Sequence, residues 1–258
     1  MVRPSRLMPP LGVLGALQFL TRIPIRLRAA PDLAASVPWF PVVGAAIGAV
    51  VGGVMAGLGQ LVPATVAAAV AVMVGVMITG AFHEDGLADT ADAMGGWTPE
   101  QRREILKDSR HGSYGVAAMV GSILVRVLCV ASLGPAAAFG GLVAAHALGR
   151  GAAVAVMGVA PPVPTEGLGA DYARALSTRR AAIGASAAIA LGAVAVGWWV
   201  LPLALAAGVG ALIVALIANR SFGGVSGDIL GAVEQVAECL VLVVVSGLAL
   251  RHSIWWAR

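Results

Sequence analysis

Phe82-His83-Glu84-Asp85-Gly86-Leu87-Ala88-Asp89-Thr90-Ala91-Asp92 sets three aspartates at one end of an apolar run. Asp89 and Asp92 follow Asp85 by four and seven residues. At about 100° per residue, a helix gathers all three within an arc of roughly 60° on one face. Like charges so close repel unless a cation sits among them. A hard divalent ion such as Mg²⁺, shared with substrate phosphates, suits carboxylate oxygens. The plainer alternative is a solvated acidic helix start, since carboxylates are stabilised near the positive end of the helix dipole. The Leu and Ala between the acids argue against it, because a solvated face mixes in Lys or Ser. The stretch predicts a short helix with a metal site of Asp85, Asp89 and Asp92.

The surrounding chain is very apolar. Of its 258 residues 59% are hydrophobic and 12% charged, about half the charged fraction of a soluble protein; its mean hydropathy is +0.90. About seven runs approach the roughly 20 residues needed to cross a bilayer: 38–62, 64–82, 113–133, 136–160, 181–200, 201–218 and 231–250. Abundant Gly and Ala suit close helix–helix approach in a membrane. The expected fold is all-α, a polytopic membrane helical bundle forming one domain over 1–258. Residues 11–20 are too short to span and read as an interfacial or re-entrant segment. Arg22, Pro24, Arg26 and Arg28 interrupt the chain just beyond it, and no clear A-x-A cleavage site accompanies that short run, so a removed signal peptide is not expected.

A net charge of +4 does not point to nucleic acid, because the basic residues are dispersed along the polar connections. Five fall in the N-terminal segment, four in 83–112, three in 161–180 and one at Arg220. With the N-terminus inside, these connections share the cytoplasmic face and the short turns at Pro63, Pro135 and Pro202 face out, a positive-inside arrangement. Membrane lipid is therefore an expected partner. Cys129 and Cys239 sit in apolar runs and imply neither a disulfide framework nor a thiolate metal site.

Other polar clusters fall on the same side. After Gly95-Gly96, Thr98-Pro99-Glu100-Gln101 reads as a helix start, with a Thr cap, Pro at the first position and Gln closing a capping box; that helix is expected to run to about Asp108. Lys107-Asp108-Ser109-Arg110-His111-Gly112 offers two cations and a carboxylate. Such cations bind phosphate oxygens, or equally meet anionic headgroups. Gly223-Gly224-Val225-Ser226-Gly227-Asp228 is a turn of the kind whose backbone N–H groups can cradle phosphate, or a plain loop with a helix-capping Asp228. Glu234 and Glu238 come next, on one helix face inside a span, where acids read as functional; a structural pairing with Arg126 or Arg150 is the alternative. His146 and Arg150 form another i, i+4 pair, with Arg150 favoured as a phosphate or carboxylate partner and His146 as a packing residue. His83, without a second His or Cys nearby, argues against zinc. Trp198, Trp199, Trp255 and Trp256 read as an aromatic belt at the outer interface.

Taken together these segments resemble the cobalamin synthase family, the adenosylcobinamide-GDP ribazoletransferases. The resemblance runs in order from Leu17-Gln18-Phe19-Leu20-Thr21-Arg22-Ile23-Pro24, through Phe82 to Asp92 and Lys107 to Gly112, to Gly223-Gly224 and Asp228. Two positions depart from the family pattern: Glu84 stands where many members have an apolar residue, and Ala93 where a Gly commonly follows the third aspartate. An extra carboxylate at Glu84 is expected to alter metal affinity.

The resemblance implies an integral inner-membrane enzyme with a cytoplasmic active site. The 3′-hydroxyl of α-ribazole, or of its 5′-phosphate, would attack the cobinamide-side phosphorus of adenosylcobinamide-GDP and release GMP. Asp85, Asp89 and Asp92 would hold Mg²⁺, while Lys107 and Arg110 would stabilise charge. Asp108, Asp228, Glu234 or Glu238 would complete the metal shell or take the proton. Arg150, Gly223, Gly224 and Gly227 would contact substrate. A homo-oligomer is compatible with the sequence. Rival readings are a CDP-alcohol phosphotransferase, whose acidic motif is matched only at Asp85-Gly86, and an ion-coupled transporter, suggested by the acids and arginines in spans.

Overall fold

Long apolar runs fold as helices in a bilayer because only internal hydrogen bonding satisfies their backbones there. The computed structural model describes residues 9–26, 32–108, 110–163 and 176–257. Arg3, Arg6, Arg28, Ser109, Arg258 and most of the expected 161–180 connection lie outside the described residues. The helices in chain order are α1 (Pro9–Leu20), α2 (Leu33–Ser36), α3 (Phe40–Leu58), α4 (Ala64–Thr79), α5 (Phe82–Ala93), α6 (Pro99–Ile105), α7 (Ser113–Ala131), α8 (Pro135–Val159), α9 (Thr178–Val196), α10 (Val200–Phe222) and α11 (Gly227–Ala249). Among the described residues, extended pairing is confined to one bridge between Pro162 and Val225.

The described residues contain five helical stretches long and apolar enough to cross a membrane, or six if α4 and α5, bent by 88°, form one broken crossing. The difference from the expected seven arises at two places. At 16 residues, α4 is short for a span. Residues 178–222 form one stretch of 45 residues, which as a straight helix would reach about 67 Å, over twice a hydrocarbon core of about 30 Å. Gly197, at φ 63°, breaks it into α9 and α10. Trp255 packs on Gly197 and Trp256 Nε1 donates to Ala195 O at 2.8 Å. Trp199 is fully buried, which corrects its assignment to an interfacial belt: it plugs this turn.

Helix α8 is the hub, packed against α3, α9 and α11. Small residues permit the close crossings. A Cβ at Gly48 would lie 2.5 Å from Leu142 O of α8. On α7 and α10 the outward positions Val116, Val120, Leu124 and Leu128, and Leu201, Leu205, Leu212 and Leu216, are exposed, as an apolar face turned to lipid would be. α1, at 12 residues, is too short to cross. Its end reaches the α4–α5 corner, where Phe19 packs edge-on against Phe82 at 5.2 Å and Arg22 N–H donates to Ile78 O at 2.8 Å.

Candidate active site

The acidic helix begins at a forced corner. Gly80 ends α4 in the left-handed region (φ 69°), and Ala81 repeats it (φ 60°), a conformation that costs a non-glycine residue roughly 1–2 kcal/mol. Arg22 lies over Gly80, where a Cβ would collide with its side chain. The corner turns α5 across the axis of α4, out of the span, with its aspartates at one end of the bundle.

There Asp85 and Asp89 meet His111, which the loop after α6 brings back over α5. His111 Nε2 is 3.3 Å from Asp85 Oδ1 and Nδ1 is 3.4 Å from Asp89 Oδ1. One ligand atom from each of the three lies within 4.8 Å of the others. Asp228 joins from α11 because Gly86 lets the helices nearly touch: a Cβ there would stand 2.6 Å from Asp228 O. Burial first, then the Asp85 and Asp228 carboxylates, raise Asp89 to about 6. Among the described residues no Lys or Arg is ion-paired to Asp85, Asp89 or Asp228.

Asp92 does something else. Its Oδ2 accepts from Gly112 N–H at 2.6 Å and its Oδ1 from Gly115 N–H at 2.8 Å. It caps the first turn of α7, where such N–H groups lack helical partners. The shared arc turns Asp92 toward this neighbour rather than into the cluster. His111 takes the third place instead; it was not among the expected site residues. The Lys107–Gly112 stretch stands out in the sequence for its cations and carboxylate, not for His111, whose position depends on the Asp92 tether.

The capping box of α6 is present, with Gln101 N–H donating to Thr98 Oγ1 at 3.3 Å, and the helix ends at Ile105 rather than Asp108. Arg103 donates to Phe222 O at 3.1 Å, fixing α6 to the end of α10. Asp108 pairs with Arg110 at 2.6 Å, which holds its carboxyl down at about 2; a carboxylate so held is a weak proton acceptor. Lys107 is exposed in the same loop. An open groove of about 660 Å³ runs from His111 and Gly112 along α7 past Val116 and Val120.

The Gly-rich turn is used internally. Gly223, at φ 80°, caps α10 and donates to Asn219 O at 3.2 Å; Val225 N–H donates to Pro161 O at 2.9 Å. A Cβ on Gly224 would strike the backbone of residues 161–163. Gly227 opens α11 behind the Ser226 cap.

Glu234, Glu238 and Arg150 lie apart from the aspartates, fully buried on the inner side of α5. Arg150 Nη1 is 2.6 Å from Glu234 Oε1. Arg126 reaches Glu84 Oε1 at 2.9 Å and Glu238 Oε1 at 3.2 Å. His146 Nδ1 is 2.9 Å from Glu238 Oε2, and His83 Nδ1 is 3.6 Å from Glu234 Oε2. These acids have the structural partners weighed as the alternative, and Arg150 is committed to protein carboxylates. His146, Glu234 and Glu238 are also close enough to share a metal, but two guanidiniums already supply positive charge there. The outer cluster has no such counter-charge among the described residues, and its donors, Asp85 and Asp89 with His111, fit a hard divalent cation, with Asp228 adding negative charge nearby.

No solved structure matches the chain. It is 38% identical to the adenosylcobinamide-GDP ribazoletransferase of Azorhizobium caulinodans, over 94% of this chain and 97% of that one. It is 37% identical to the one from Stutzerimonas stutzeri, over 93% and 98%. The match to the Bradyrhizobium diazoefficiens protein of the same name is 43% identical and spans 65% of each chain. The cobalamin-5-phosphate synthase family model matches residues 12–246, nearly the whole bundle and every element of the site, and the chain belongs to that family.

Proposed function

We propose that this membrane protein completes the nucleotide loop of cobalamin, joining the cobinamide phosphoryl group of adenosylcobinamide-GDP to the 3′-hydroxyl of α-ribazole or its 5′-phosphate, with release of GMP. The observation that carries the chemistry is the meeting of Asp85 and Asp89 with His111 from a separate loop, beside the negative charge of Asp228, with no Lys or Arg paired to these acids among the described residues. A new P–O bond forms to the ribose oxygen as the P–O bond to GMP breaks, and the leaving GMP takes the electron pair. Such transfers need positioning and charge neutralisation more than covalent help. Asp85 and Asp89, with His111, would hold Mg²⁺, which when bound offsets the charge of the diphosphate oxygens. Lys107, exposed on the loop that carries His111, and Arg110, once released from Asp108, would meet phosphate. Of the four acids considered as proton acceptors, Asp228 is favoured: Glu234 and Glu238 are enclosed in the inner network, and Asp108 is held ionised by Arg110.

The basic connections support a location in the bacterial inner membrane with this end facing the cytoplasm. The test is GMP release from adenosylcobinamide-GDP by the purified chain in detergent, with and without EDTA, alongside Asp89→Asn. Metal-dependent release that Asp89→Asn abolishes is expected. Substrate movement across sealed vesicles without turnover would instead favour a carrier.

A further inference from the structure

His83 and Glu84 directly precede the first site aspartate, yet both are buried on the far side of α5. Successive side chains on a helix point about 100° apart, so the rotation that sends Glu84 inward sends Asp85 outward. On its inward side the helix is held by an ionic contact. Arg126 of α7 holds Glu84 and, with its other nitrogen, Glu238 of α11. One guanidinium thereby ties the acidic helix to two of the elements that complete the site: α7, whose first turn Asp92 caps beside His111, and α11, which carries Asp228. The Oε2 of Glu84 is buried with no hydrogen-bond partner, so the Oε1 contact is the hold this side chain has on its surroundings.

We propose that Glu84 and Arg126 are positioning residues for the cation site: their buried pair sets the rotation of α5 and hence the separation of Asp85 and Asp89 from His111 and Asp228. This rests on the metal reading above. The role differs from a direct effect of an added carboxylate, since Glu84 points away from the ligand cluster.

The experiment measures Mn²⁺ binding to the full chain in detergent by the loss of the free-ion paramagnetic resonance signal, together with thermal unfolding. Glu84→Gln keeps size and removes charge. The double variant Glu84→Leu with Arg126→Met removes the pair and also takes Arg126 from Glu238, which keeps His146. Partners that orient metal ligands are typically worth 10–100-fold in affinity, so Mn²⁺ binding weakened about tenfold or more is expected in each variant that folds, with a lower unfolding temperature for the double variant because Glu238 loses one of its buried partners. Wild-type Mn²⁺ affinity in either folded variant overturns the proposal. So does failure of both to fold, which would give the pair a global role. Asp89→Asn separates the two readings. If it binds Mn²⁺ as the wild type does, the metal site itself is wrong; if it loses binding while Glu84→Gln keeps it, only the positioning role is wrong.

Discussion

The two faces of α5 use the same chemical groups to opposite ends. Inward, Glu84, Glu234 and Glu238 meet Arg126, Arg150 and His146 in a closed network. Three carboxylates face two permanent cations and two imidazoles, His146 and His83, so their counter-charge comes from within the protein. Outward, Asp85, Asp89 and Asp228 have His111 as their one basic neighbour among the described residues. The inner set is complete without any ligand, as low dielectric demands of buried charge. The outer set is left short of positive charge, which is the condition for binding a cation. Acids in a membrane protein therefore cannot be sorted by residue type; the sorting criterion is whether the fold supplies their counter-charge.

The sharpest way to break this contrast is Arg150→Met, which strands Glu234 in the interior. A loss of about 3–5 kcal/mol in stability is expected, read from thermal unfolding in detergent. A change confined to substrate KM would return Arg150 to the substrate site. Asp89→Asn should do the reverse on the outer face, abolishing metal-dependent GMP release while the metal-free protein unfolds no earlier than the wild type. Gly86→Ala pushes α5 away from α11, and overpacking of this kind costs about 1–3 kcal/mol. It should weaken metal binding as well, because Asp228 moves with α11.

The pH response sharpens the contrast further. With Asp89 raised to about 6, the folded metal-free protein binds this proton more readily than the unfolded chain. Its stability should fall as pH rises from about 4 through 6, and added Mg²⁺ should remove the decline. A metal-free protein whose unfolding temperature climbs over that range would contradict the assignment. The smallest effect is expected on the surface of α6. Glu100→Gln breaks an exposed pair with Arg103 and should change stability by no more than about 0.5 kcal/mol.

Much of this was legible one residue at a time. Thr98-Pro99-Glu100-Gln101 announces its helix because caps are local chemistry. The apolar runs announce a membrane bundle because span length is a property of contiguous residues. The Phe82–Asp92 spacing marks an acidic face for the same reason. That face did not reveal which aspartate looks where: Asp92 differs from Asp85 and Asp89 through Gly112 and Gly115, twenty and more residues away. Nor did it reveal His111, whose place depends on that same tether.

By itself the sequence determined the helical membrane class, the element starts and the acidic stretch on which the site is built, all consequences of short-range periodicity and capping. The tertiary structure alone decided that Glu234, Glu238 and Arg150 close on one another while Asp228 and His111 come to the outer aspartates. Pairing among buried charges depends on helix crossings such as Gly86 against Asp228, and a crossing is set by packing between distant segments.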